Sequence, residues 1–315
     1  MSEEKVISFI RIYLLKVNLY LVVCLILLVS SCGKSTFVPD LKTDNPTVKS
    51  KLPREIKGMT FAGVNQQGYN EYLNEATGLV FVFIPGGTFK MGSNETEYEK
   101  PIHEVTVSDF LISKYETTQS LWQKIMGNTP SYFNKGGDYP VEQVSWEDCR
   151  EFCKKMGLRL PTEAEWEYAC RAGTTTKFYW GDIEDGDYMW YYKNSGIITH
   201  PIGEKKPNGY GLYDMSGNVW EWCSDWYHIN YYAPTELPSR GSPARDEATS
   251  ESQPNQDKIT PRNNPQGPAS GRYKVLRGGS WDFCRNERRS ACRGYDEPKY
   301  RSVCMGFRCA ASVKQ

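Results

Sequence analysis

The sequence predicts an α+β domain that is compact and largely irregular, and three features carry the prediction. Two apolar runs with strand character, residues 79–84 (LVFVFI) and 104–112 (EVTVSDFLI), lie close together. Two later segments open with capping boxes, and the first repeats its apolar residues at helical spacing. Between and beyond them run long aromatic or polar stretches with neither period.

The first segment lies outside that domain. Lys5, Arg11 and Lys16 precede an apolar run, residues 17–29, that is short for a membrane span. Residues 1–31 therefore read as a secretory signal. The run ends in Val29-Ser30-Ser31-Cys32, which resembles a bacterial lipobox, in which the thiol of Cys32 would take a diacylglycerol and anchor the mature chain. Residues 32–77 are polar and aperiodic, which reads as a tether to the anchor.

The domain is expected over residues 78–313. Its first strand ends at the Pro85-Gly86-Gly87 turn, and residues 104–112 form the second. Ser145 with Asp148 opens a helix whose apolar side is Trp146, Cys149, Phe152, Cys153 and Met156, stopping before Gly157. Thr162 with Glu165 opens another, with Gly173 as its stop. Residues 178–213 are irregular and aromatic. Residues 234–271 are rich in Pro, Ser, Asn, Gln and Asp and read as a surface insertion. Short strands are expected at 273–276, 289–293 and 306–311.

Composition narrows the function classes. The 315 residues carry a net charge of zero, which gives no electrostatic reason to expect a nucleic-acid partner. The three histidines, His103, His200 and His228, are scattered, so a histidine metal triad has no support. Beyond Cys24 and Cys32 there are eight cysteines, an even number that suits disulfides in an oxidising compartment, the other reading being buried free thiols. The arginines of the last third, Arg272, Arg277, Arg285, Arg288, Arg289, Arg293, Arg301 and Arg308, read as internal partners of carboxylates and carbonyls rather than as a basic face. No phosphate loop, ordered Ser-His-Asp set or H-E-x-x-H is present.

An ordered set of segments resembles the formylglycine-generating enzyme, or sulfatase-modifying factor, family. The segments are Ile84-Pro-Gly-Gly-Thr-Phe89, Val144-Ser-Trp146, Arg159-Leu-Pro-Thr-Glu-Ala-Glu-Trp-Glu-Tyr168, Asn208-Gly-Tyr-Gly-Leu-Tyr-Asp214, Gly217-Asn-Val-Trp-Glu-Trp222, Arg277-Gly-Gly-Ser-Trp281 and Gly306-Phe-Arg308. The resemblance implies a domain related to C-type-lectin-like folds. It implies disulfides Cys153–Cys309 and Cys170–Cys292, the second on the argument that Cys292 faces the same side of a strand as Ser290, the aligned position. Cys223–Cys284 and Cys149–Cys304 would consume the remaining four cysteines.

The resemblance also implies calcium at Asp214, Gly217, Val219 and Glu221, through two carboxylates and two backbone carbonyls. The competing reading pairs Asp214 and Glu221 with arginines. Trp190 stands where the family's other calcium site needs Asn. The family's enzymes oxidise a substrate cysteine to formylglycine, using oxygen and copper held by two thiolates in a C-x4-C pair. Cys284 and Ser280 match catalytic positions, but Arg289 stands five residues after Cys284, where the second thiolate is expected.

Two functions follow. One is a non-catalytic lipoprotein of the cell envelope (outer membrane or cell surface) that binds an exported protein or glycan, with residues 234–271 and 179–192 as contact candidates. The alternative is an active, copper-dependent formylglycine-generating oxidase. A third chemistry, non-haem iron oxidation, would need histidine ligands that the sequence does not supply.

Overall fold

The computed structural model describes residues 55–233, 262–282 and 287–313. All of these fall in one compact unit, Ser50–Gln315. The expected secretory signal at 1–31, Cys32, most of the expected insertion at 234–271 and Cys284 lie outside the described residues.

The run at 79–84 becomes β3 (Val80–Ile84). It lies in the middle of a five-stranded antiparallel sheet in which β1 (Met59–Val64) and β2 (Asn70–Asn74) flank it on one side. On its other side come β6 (Phe110–Ser113) and β12 (Ala310–Ser312). β1 and β2 fall inside the segment read as a tether, so the folded unit begins well before residue 78. The tether reading failed because β1 is an edge strand with most of its side chains in solvent, held by pairing with β2 rather than by a buried face.

Residues 104–112 are two strands, not one. β5 (His103–Val107) pairs with β4 (Gly87–Met91) in a second sheet, while β6 joins the first. The break is built by Asp109, whose carboxylate accepts the Gly86 amide at 2.7 Å, and by Asn264, whose side chain accepts the Ser108 amide at 2.7 Å. β8 (Arg262–Asn263) adds to β5 in parallel, so the end of the expected insertion is part of this sheet. The third sheet runs in the order β10 (Gly294–Asp296), β9 (Tyr273–Arg277), β7 (Trp220–Tyr227), β11 (Met305–Gly306).

Both capping-box helices form: α2 (Trp146–Lys155), capped by Ser145, and α3 (Glu163–Arg171), capped by Thr162, each with the reciprocal bonds in place. α3 ends on Ala172 in the left-handed region, one residue before Gly173. A third helix, α1 (Gln119–Met126), lacks a reciprocal box; Thr118 caps it and left-handed Gly127 ends it. Residues 287–292 form turns rather than the strand expected there.

The core divides into two clusters. α1, α2, Trp220, Trp222 and Phe307 build one; α3, the 82–84 face of β3 and β5 build the other. Arg277, Arg293 and Arg308 are fully or almost fully buried.

Candidate functional site

The segment Arg277-Gly-Gly-Ser-Trp281 leaves β9 through two left-handed glycines, Gly278 and Gly279. A Cβ on Gly279 would sit 2.5 Å from Arg288 Cγ, so the turn closes only on glycine. Ser280 is buried there, its hydroxyl accepting the Asp282 amide at 3.4 Å. Trp281 donates from its amide to the Asn218 carbonyl at 2.9 Å and from its indole to the Val303 carbonyl at 3.3 Å. Cys304, the least buried of the described cysteines, faces this corner, 3.1 Å from the Ser302 hydroxyl and in contact with Ser280. Burial raises its thiol above the ordinary range despite both hydroxyls.

Arg289, at the place of the second thiolate, is locked. Its two terminal nitrogens donate to the two oxygens of buried Glu99 at 2.7 and 2.6 Å. Arg288 beside it crosses to the carbonyls of Ser280 and Asp282 and lies over the rings of Tyr191 and Tyr192.

The seven described cysteines are all free thiols. Cys153 and Cys309 are brought together, with their sulfurs 3.8 Å apart in the first core cluster, and Cys149 lies near both. Contact with Cys309, then burial, raises the Cys153 thiol well above its usual range. The pairing Cys170–Cys292 is not formed. Cys170 packs in the second cluster against the Met215 carbonyl and Ser290, whereas Cys292 packs in the first. The strand parity that linked Ser290 to Cys292 fails because 287–292 is a turn. Burial pushes both thiols up to about 12. Cys149–Cys304 also fails, since Cys149 neighbours Cys309 while Cys304 faces Ser280 and Ser302. Cys223 is buried and free, and its suggested partner Cys284 lies outside the described residues.

Of the calcium set, Glu221 takes the arginine alternative. Arg308 grips it through Nε to Oε2 at 2.6 Å and Nη2 to Oε1 at 2.7 Å, and the Trp166 indole donates to Oε2 at 2.7 Å. Asp214 accepts the Gly203 amide at 2.7 Å and has no arginine partner among its hydrogen bonds. Gly217 is held against Trp190, where a Cβ would meet the Trp190 carbonyl oxygen at 2.1 Å. The Val219 amide donates to Glu116 Oε1 at 3.2 Å, and Asn218 donates to Glu116 Oε2 at 2.6 Å. Glu116 was not singled out from the sequence, and its place beside this set comes from the long-range approach of the 114–118 segment. Burial, then the charges of Asp214 and Glu221, raise Glu116 well above the carboxylate range; burial chiefly takes Asp214 to about 6. Three buried carboxylates thus meet one guanidinium. No group of three or more His, Cys, Asp or Glu among the described residues is arranged to hold a metal ion. The fit to calcium is therefore partial: Asp214 and the carbonyls of Gly217 and Val219 suit a hard cation, and Glu221 would have to share its oxygens with Arg308.

The aromatic stretch packs mostly inward. Tyr179, Met189 and Tyr191 are buried, and Phe178, Trp180 and Tyr188 stack face to face. Trp190 is sandwiched between the His200 ring at 3.6 Å and the Lys205 ammonium at 3.6 Å. Among its large apolar side chains Ile183 stands out in solvent, at 81% exposed, beside exposed Asp182, Asp185 and Asp187.

Buried Arg277 and Arg308 and the left-handed glycines Gly217, Gly278 and Gly279 all sit in the segments that resemble a sulfatase-modifying-factor type of domain. A profile for the sulfatase-modifying factor enzyme 1-like domain matches residues 70–313, and the chain belongs to that family. A serine/threonine-protein kinase pkn1 from Chlamydia caviae is 32% identical over 260 residues, covering 74% of this chain and 38% of that protein. The formylglycine-generating enzyme of Streptomyces coelicolor is 36% identical over 191 residues, covering 55% of this chain and 52% of the enzyme. The chain thus spans only about four- to five-tenths of the length of these relatives. Among solved structures, Treponema denticola variable protein 1 superposes with TM-score 0.59 at 31% identity, covering 74% of this chain and 95% of that one. PvdO from Pseudomonas aeruginosa superposes with TM-score 0.62 at 25% identity, covering 77% and 98%.

Proposed function

We propose that this chain is a non-catalytic member of the family that binds an exported protein or glycan partner from a lipid anchor at Cys32 on the cell envelope. One observation carries the reading: at the place of the second copper thiolate stands Arg289, a cation held by both oxygens of Glu99. A soft-metal site needs a thiolate there, and a locked guanidinium is the opposite in charge and in softness. A 33% identity over 204 residues to a protein named chaperone LppX, from Paenibacillus barcinonensis, supports a partner that is a protein.

The test is a direct assay. The protein, loaded with copper in the presence of oxygen, is incubated with a Cys-x-Pro-x-Arg peptide, and formylglycine is sought by mass spectrometry. No product is expected. Turnover would overturn the reading and return the chain to the oxidases, with Cys284 and Ser280 as the residues to replace first. Calcium belongs to the same proposal as a structural ion at Asp214 and the carbonyls of Gly217 and Val219, where it would neutralise part of the carboxylate excess.

A further inference from the structure

A cleft of about 420 Å³ opens between β4 with its following loop, the C-terminal end of α3 and the turn at Arg289–Ala291. Its size falls in the range of small-molecule sites. Among its lining residues, Lys90, Arg171, Lys177 and Arg289 are cationic, and Glu95 and Asp182 are anionic.

Arg171 is the feature that makes this more than a surface dent. It is only 6% exposed. Its Nε donates to Glu167 at 2.8 Å, one Nη to the Thr176 carbonyl at 3.3 Å and the other to the Gly92 carbonyl at 3.0 Å. A guanidinium has five N–H groups. The second N–H on each Nη has no acceptor among the described residues. Arg171 also ends a buried chain of charges. Glu167 is shared with Arg277, and Glu163 lies between Arg277 and Arg293. Three guanidiniums therefore face two carboxylates, which leaves one positive charge in excess. Of the three, Arg171 is the one that lines the cleft.

We propose that this cleft binds the carboxylate of an acidic sugar, with Arg171 as its buried anchor and Lys90 and Lys177 at the rim. A carboxylate matches the fork of an arginine and would supply the missing negative charge. Ser93, Asn94, Thr175 and Thr176 line the same space with hydroxyl and amide groups, the partners that sugar hydroxyls need. The inference rests on the partner-binding reading and names the chemistry of one partner.

The experiment titrates the full chain with a disaccharide that ends in glucuronate, following the backbone amides of Gly92, Ser93 and Thr176 by NMR. Those amides are expected to shift, and the same disaccharide ending in glucose should bind about tenfold more weakly or worse. The double variant Lys90→Ala/Lys177→Ala, at exposed positions, should keep its melting temperature and lose about tenfold in affinity. Arg171→Lys should weaken binding further; if it fails to fold, the double variant still decides. Equal affinity for the two disaccharides, shifts confined to other residues, or no change in the double variant would overturn the proposal. So would tighter binding of tetra-aspartate, which would make the site one for acidic peptides. None of these outcomes bears on the formylglycine assay, so failure here and failure of the wider reading remain distinct.

Discussion

Replacing Arg308 with Met tests how much of the fold hangs on one buried cation. Arg308 donates five hydrogen bonds: two to Glu221 and one each to the carbonyls of Ser113, Lys114 and Tyr213. Met fills similar volume and offers no donor. Breaking a buried pair by removing one partner costs about 3 to 5 kcal/mol, because the other charge is left without compensation. The three carbonyls add about 1 kcal/mol together, since two of their bonds are long and relaxation recovers some. The expected loss is about 5 kcal/mol, a large part of an ordinary domain's stability. Urea unfolding followed by tryptophan fluorescence reads it as a fall in midpoint at constant slope. Adding Glu221→Gln should recover at least half of it, as the amide still accepts from the Trp166 indole without bringing a charge. A single variant that loses under about 1 kcal/mol, or a double variant no better than the single, would refute the reasoning.

Four shorter predictions follow. Asp225 is buried and held at about 7, chiefly by burial and then by Glu163. A carboxyl raised in this way contributes stability that is complete below about pH 4 and lost as pH rises through 7, so Asp225→Asn should flatten the fall in stability between about pH 4 and 7. Mild oxidation should join Cys153 to Cys309 before any other described pair, raising the melting temperature, with peptide mapping as the check; a first bridge at Cys170 would contradict the geometry. Millimolar calcium should raise the melting temperature of the wild type and leave Asp214→Asn unmoved, whereas an unmoved wild type would mean that the Glu221–Arg308 pair completes the site by itself. Thr162→Ala should cost about 1 kcal/mol in urea unfolding, through loss of its bond from the Glu165 amide.

Where local chemistry fixes the backbone, the sequence was readable. Ser145 with Asp148 and Thr162 with Glu165 announce their helices because both halves of each cap lie within four residues. The internal pairing of the arginines was legible from the balanced charge, and Arg277, Arg293 and Arg308 are partnered as expected. The misses share a cause. β1 is an exposed edge held by β2, the division of 104–112 depends on Asn264 far along the chain, and Glu116 reaches Asn218 across a hundred residues. None of these leaves a mark within a short window. The inward packing of the aromatic stretch, unexpected for a contact surface, follows from stacking among its own rings, which burial patterns cannot reveal before the fold is known.

The placing of β11 and β12 has a consequence for how the chain is made. Within eight residues, 305–312, the chain lends one strand to the sheet of β7 and another to the sheet of β6, and between them it sets Phe307 and Arg308 at the centre of the fold. During synthesis neither sheet is complete, and Glu221 lacks the counter-charge of Arg308, until residues 305–312 have been made. The domain must therefore stay open until then, and a chain cut before Met305 would lose the closure of both sheets rather than trim an edge.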